Sequence, residues 1–191
     1  MASREGPRPE GSDGTDFQHR ERVASHYETS AAYKLRMRYV IYLHLLLVVL
    51  MVFRLTAGLC LVFNVQPPRV VQELEMPPAQ MWEFVWLMSA IPSFFGLVAL
   101  RRNRAFLVQQ YLIGTVVFGL GPVFCGIVSM LGDLLEYWDT RETKATFFGF
   151  PAVLLWNMFL VIALQVHVFG LWFAWTLMGA WKSRGTAKKQ Q

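Results

Sequence analysis

Among the polar side chains inside long apolar runs of this sequence, five are the candidates for chemistry: His44 and Arg54 in the first run, and Asn157, Gln165 and His167 in the last. A cation inside such a run is costly, so it is normally paired, drawn toward an interface or functional. Arg54 lies about 22 Å along a helix counted from Tyr39. Its long stem can carry the guanidinium to the nearer interface, or it can pair with Glu83 or meet Asn157 at similar depth. His44, Gln165 and His167 read first as groups that hydrogen-bond one helix to another. The competing reading joins them with Arg54 into the polar path of a small transporter or channel. A proton path also needs carboxylates within the membrane, and the expectation is that it has none, because Glu83, Asp133, Glu136 and Asp139 fall in or beside the connections.

An enzyme would need a phosphate-cradling glycine loop, a nucleophile beside a base, or a metal-ligand cluster. None can be assembled from the spacing, and neither of the two acidic connections contains a His, Cys or Ser. No catalytic residue, cofactor or metal is expected. Cys60 and Cys125 are the only cysteines and both lie in apolar runs, where they read as buried thiols rather than a disulfide framework. Gly121, Cys125 and Ser129 recur every fourth residue and place three small side chains on one helical face, a stripe suited to close helix packing. The neighbour can be a span of the same chain or of a second copy, which leaves a homo-oligomer open.

The chain ends KSRGTAKKQQ, with Lys188 and Lys189 at the fourth and third positions from the carboxyl end. Two ammonium groups and a terminal carboxylate on a short stem suit an acidic groove. On a cytosolic tail this is the form of a dilysine retrieval signal, read by coatomer, which returns membrane proteins to the endoplasmic reticulum.

The elements that must position these residues follow from hydropathy. Of 191 residues 54% are hydrophobic, and the mean hydropathy is +0.35, too apolar for a water-soluble domain of this size. Four runs are long enough for a hydrocarbon core of roughly 30 Å: about 39–63, 81–100, 105–131 and 147–178. The fold class expected is therefore all-α, an integral membrane bundle of four transmembrane helices. Pro92 should kink the second span. The N-tail, the turn Arg101 to Arg104 and the C-tail carry 14 of the 18 Lys and Arg. By the positive-inside rule these three segments are cytosolic and the other two connections lumenal. The net charge of +5 is thereby explained as membrane orientation, and no nucleic-acid partner is inferred.

Residues 1–38 form a cytosolic tail without a signal peptide, rich in Gly, Pro and charge at its start and unable to build a core. From 17 to 38 a loose stripe of Phe17, Val23, Tyr27 and Leu35 suits a helix on the membrane surface. Residues 39–178 form the membrane domain and 179–191 the cytosolic C-tail.

Three ordered blocks carry a resemblance: MASREGP with GSDGTDFQHRERVASHY, then PPAQMWEFVW with SFFGL, then QVHVFGLWFAW with AWK. Together they span nearly the whole chain, which resembles the jagunal family of four-span proteins of the endoplasmic reticulum. Arg54, Gln165 and His167 match the family pattern. The resemblance implies a role in organising the reticulum and in vesicle-mediated traffic, while the expected partners, membrane lipid and coatomer, follow from the apolar spans and the terminal lysines. It implies no enzymatic reaction and no defined ligand.

Overall fold

The computed structural model describes residues 15–73, 77–147 and 149–187. Helix α1 runs unbroken from Thr15 to Val62. The stretch 17–38, expected as a helix feeding the first span, is helical and continuous with that span, because nothing between Phe17 and Arg38 is a Gly or Pro that would interrupt the hydrogen-bond ladder. The helix ends where Asn64 takes a left-handed φ of 57°, and Pro67 and Pro68 prevent its resumption. A short helix α2 (Arg69–Glu73) follows in the connection.

The second span is split into α3 (Met81–Leu87) and α4 (Ala90–Arg102). The break at Met88 and Ser89 lies one turn ahead of Pro92, whose ring opposes the carbonyl of Met88 and whose nitrogen cannot donate to it. Tighter three-residue bonds, Ser89 N to Trp86 O at 2.9 Å and Ile91 N to Met88 O at 3.0 Å, bridge the break. At the far end Asn103 caps α4 in the left-handed region and turns the chain into α5 (Ala105–Gly114). Arg101 and Arg102 sit in the last turn of α4, where cations oppose the negative end of the helix dipole.

The third span contains α5, a π-helical segment from Thr115 to Leu120, and α6 (Gly121–Thr140). Pro122 stands just inside the start of α6 and withholds the amide that an unbroken α-ladder would need there, which accounts for the widened turn before it. The helix continues nine residues beyond the expected end at Leu131. Asp133 and Glu136 thereby become helical, and both hold Lys144 of the next connection, at 2.8 and 2.7 Å. These contacts push the Lys144 ammonium above the ordinary lysine range, first through its hydrogen bond to Asp133. Where the fourth span was expected to start, β1 (Thr146–Phe147) and β2 (Phe150–Pro151) instead pair as two short antiparallel strands. Helix α7 runs from Ala152 to Ala187.

Among the described residues, four helical stretches are thus long and apolar enough to cross a membrane: Tyr27–Val62, Met81–Arg102, Ala105–Thr140 and Ala152–Lys182. The chain is an all-α, multi-pass membrane protein. Large apolar side chains such as Leu46, Val49, Val128 and Trp175 are exposed on its outside, which in water would be untenable and in lipid is the expected face. Inside are two apolar clusters. One gathers Leu47, Met51, Leu55, Val123 and Leu160 around Trp86; the other gathers Met37, Ile41, Val108, Ala174 and Leu177 around Tyr111.

The ends of the bundle differ. At one end the indole of Trp181 on α7 donates to Ser30 on α1, and Lys34 lies over its ring. Asn103, from the turn between the second and third spans, shares a surface pocket with these residues. At the other end the connection at Pro78 accepts a bond from Arg54, and Phe147 of β1 packs on Trp156.

Candidate functional site: a polar core in two tiers

The upper tier is built on an i, i+4 pair of serines. Ser89, at the break, and Ser93, one turn later, present both hydroxyls to His44 on α1. Nδ1 of His44 lies 2.7 Å from Ser93 Oγ and Nε2 lies 2.9 Å from Ser89 Oγ. Beside it, His167 of α7 stands with its ring centroid 4.8 Å from that of His44. The indole N–H of Trp86 donates to His167 Nε2 at 3.0 Å. An indole nitrogen can only donate, so Nε2 carries the lone pair and the proton of the neutral ring is on Nδ1. The π-helical segment supplies the floor. A Cβ built on Gly119 would come within 2.8 Å of the His167 ring, so this position accepts no side chain without displacing the imidazole.

His44, Ser89, Ser93 and His167 are all buried, and both nitrogens of His44 are engaged by neutral hydroxyls. This is a set of reciprocal hydrogen bonds that fixes the spans α1, α3–α4 and α7 relative to one another. Each bond of this kind contributes about 1 kcal/mol, and leaving a partner unmatched costs more than that.

The lower tier pairs Arg54 with Glu83. Their side chains are 11% and 2% exposed, and Arg54 Nη2 lies 3.5 Å from Glu83 Oε1. The guanidinium stacks over the Trp156 ring, 4.9 Å from its centroid, and reaches Pro78 O at 3.4 Å. The separation exceeds that of a short charge-assisted hydrogen bond. Arg54 Nε and Glu83 Oε2 are buried with no hydrogen-bond partner.

The expectation that carboxylates stay outside the spans is corrected here. Glu83 falls in the first turn of α3, where the apolar walls around Arg54 enclose it as its counter-ion. Of the two partners considered for Arg54, the structure selects Glu83. Asn157 instead returns its amide to Val153 O, 2.8 Å away on its own helix.

His44 and Arg54 are ten residues apart on α1, about 15 Å, and the buried apolar side chains of Leu47 and Met51 come between them. The polar path that would join Arg54 with His44 and His167 is therefore interrupted by core. Gln165 does not join either tier; it is exposed on the outer face of α7. Within the chain, the small-residue stripe is also peripheral. Cys125 and Ser129 are exposed, and a Cβ on Gly121 would meet only a carbonyl of its own helix, 3.7 Å away. Ser129 is bonded to Gln80 Oε1 at 3.0 Å, across to the entry of α3. In this span close approach between helices is made by Gly114, Gly119 and Gly126 instead; a Cβ on Gly114 would lie 2.6 Å from Pro92, and one on Gly126 2.9 Å from Leu160 and 3.0 Å from the Trp82 ring. Lys188 and Lys189 lie outside the described residues. Among the described residues no cluster of His, Cys, Asp or Glu could hold a metal ion.

Sequence reasoning did not single out Ser89, Ser93 or Gly119. A signal existed for the serines: they are the only hydroxyls in the second run, spaced four apart around Pro92. Nothing in the spacing of Gly119 distinguishes it from other glycines in the third run.

A family model described as "Jagunal, ER re-organisation during oogenesis" matches residues 1–185. Protein jagunal of Drosophila melanogaster is 35% identical over 198 residues, an alignment covering the whole of both chains. Protein jagunal homolog 1 of Homo sapiens is 32% identical over 191 residues, again with both chains fully covered. Protein jagunal homolog of Caenorhabditis elegans is 36% identical over 184 residues, covering 95% of this chain and 97% of that one.

Proposed function

Since the chain belongs to the jagunal family, we propose that it is a non-enzymatic membrane protein of the endoplasmic reticulum that organises this membrane and supports vesicle-mediated transport in the early secretory pathway. The observation that carries the proposal is the full-length likeness to a family described by reticulum re-organisation. Three features support it. The polar core is engaged in holding helices together, which suits a scaffold. Ser30 and Lys34 of α1, Asn103 of the basic turn and Trp181 of α7 meet at one end of the bundle, the arrangement expected if the segments they lead into face the cytosol. The carboxyl end carries Lys188 and Lys189 at the spacing that coatomer reads.

The test is removal and replacement in a secretory cell. Loss of the protein should disperse or cluster the reticulum and slow delivery of a secreted reporter, and the intact chain should restore both. Normal reticulum and normal reporter flux in the depleted cell would reject the proposal. Ion or proton flux through purified protein in liposomes, abolished by Arg54→Leu, would replace it with the transporter reading.

A further inference from the structure

A cavity of about 350 Å³ lies against the lower tier of the polar core, between α1, α3 and α7. Its walls include Leu50 and Phe53 of α1, Trp82 of α3, and Leu155 and Phe159 of α7, and among the described residues Arg54 and Glu83 are the only charged side chains on it. Leu50 and Phe53 are exposed on the outer face of α1, the face that meets lipid, so the natural entrance is from the bilayer. The volume is in the range of small-molecule sites, which combine apolar walls with a few convergent polar groups.

Those polar groups are incompletely satisfied. Arg54 and Glu83 stand 3.5 Å apart, short of a close hydrogen bond, and each keeps one buried polar atom without a partner, Nε on one side and Oε2 on the other. One atom can only donate and the other can only accept. A hydroxyl does both: it accepts from a guanidinium N–H and donates to the carboxylate. The pair is already neutral in sum, so a phosphate brought to Arg54 would be repelled by Glu83 and left without a second cation. A two-chain glycerolipid would also bring ester groups for which these walls offer no further match. The aromatic rings of Phe53, Trp82 and Phe159 instead suit a rigid apolar body.

We propose that this cavity binds a neutral membrane lipid of the sterol type, with its single hydroxyl between Arg54 and Glu83 and its ring system against the aromatic walls. The site is independent of the role in traffic.

The experiment uses the full chain, purified and placed in lipid nanodiscs with a photoreactive, tritiated sterol. Labelling should saturate and map to the peptides carrying Leu50, Phe53 and Phe159. Unlabelled sterol should compete. Its acetate ester, which keeps an acceptor but has lost the donor proton, should compete at least tenfold more weakly, and so should diacylglycerol. Leu155→Trp fills the cavity without touching the ion pair and should cut labelling at least tenfold in protein that remains monodisperse. Labelling spread evenly over the lipid-facing helices, equal competition by the acetate or by diacylglycerol, or undiminished labelling of folded Leu155→Trp would each overturn the proposal. The competition series on unsubstituted protein decides the matter if the tryptophan variant does not fold.

Discussion

The ring of His44 meets the ring of His167 at 4.8 Å, and through this contact the first span is joined to the fourth in the interior of the bundle. Each ring is held by a different part of the second span, His44 by Ser89 and Ser93 and His167 by Trp86. One side chain from each of two helices therefore measures the position of a third.

It follows that these residues should act as a unit on stability. His44→Phe keeps an aromatic ring but strands the Ser89 hydroxyl, at a cost of about 1–3 kcal/mol. His167→Phe strands the Trp86 N–H at similar cost. The double variant should lose less than the sum of the two, with a coupling of about 0.5–3 kcal/mol. Unfolding of detergent-solubilised protein, followed by Trp fluorescence, measures all three. Strict additivity would mean that the two rings are neighbours without being partners.

Arg54 and Glu83 make a different prediction, because here a charge is left over. Arg54→Leu leaves Glu83 buried without a counter-ion and should destabilise by about 3–5 kcal/mol, visible as a fall in steady-state level. Arg54→Lys keeps the charge and should be milder, though it loses the planar stack on Trp156. Replacing both residues by leucine should recover much of the loss, since an apolar pair needs no compensation. If the double variant is no better than Arg54→Leu, the carboxylate is not what makes the single change harmful.

The span count, the turn at 101–104 and the break near Pro92 were legible in the sequence because each rests on a local rule of hydropathy, charge or proline chemistry. Registration between helices was not. The partners of His44 lie in another span, and only the rotation of each helix about its axis brings Ser89 and Ser93 to it. Glu83 was misread for a related reason. Hydropathy places a span's end to within a turn, and the fate of one residue in that turn depends on what Arg54 offers from across the bundle. The small-residue stripe shows the same limit: a four-residue repeat marks a face but not what it faces.

Glycines of the third and fourth spans allow a check of packing that involves no charge. Gly126→Leu must push aside Leu160 or the Trp82 ring and should cost about 1–3 kcal/mol. Gly132 and Gly179 have nothing within 4 Å of a built Cβ. Alanine there should be neutral, or stabilise by roughly 0.5–1 kcal/mol through helix propensity. Thermal unfolding of the three variants should separate them in that order. A destabilising Gly132→Ala or Gly179→Ala would point to an unseen neighbour on that face, such as a second copy.

Orientation can be checked without perturbing the fold. In sealed microsomes, added protease should remove epitope tags from both the N- and C-terminus, while a tag inserted between Val65 and Arg69 should be protected until detergent is added. The charge distribution requires all three results together. Protection of either terminal tag would reverse the assignment and with it the access of any cytosolic reader to the carboxyl end.

The proposed address of the protein rests on two lysines and their distance from the terminal carboxylate. Lys188→Ser with Lys189→Ser removes both ammonium groups and leaves Trp181 and Lys182 to anchor the end of α7 at the interface. Topology should therefore survive while retrieval fails, and the variant should appear in the Golgi or at the cell surface by immunofluorescence and by acquisition of Golgi-type glycans on an engineered lumenal acceptor. An extension of several residues after Gln191 is the sharper test. It keeps every charge and alters only the spacing to the carboxylate, so escape of the extended chain separates a position-read signal from an orientation charge. If both variants remain in the reticulum, retention resides in the spans or in what they bind, and Lys188 and Lys189 contribute only to the positive side of the membrane.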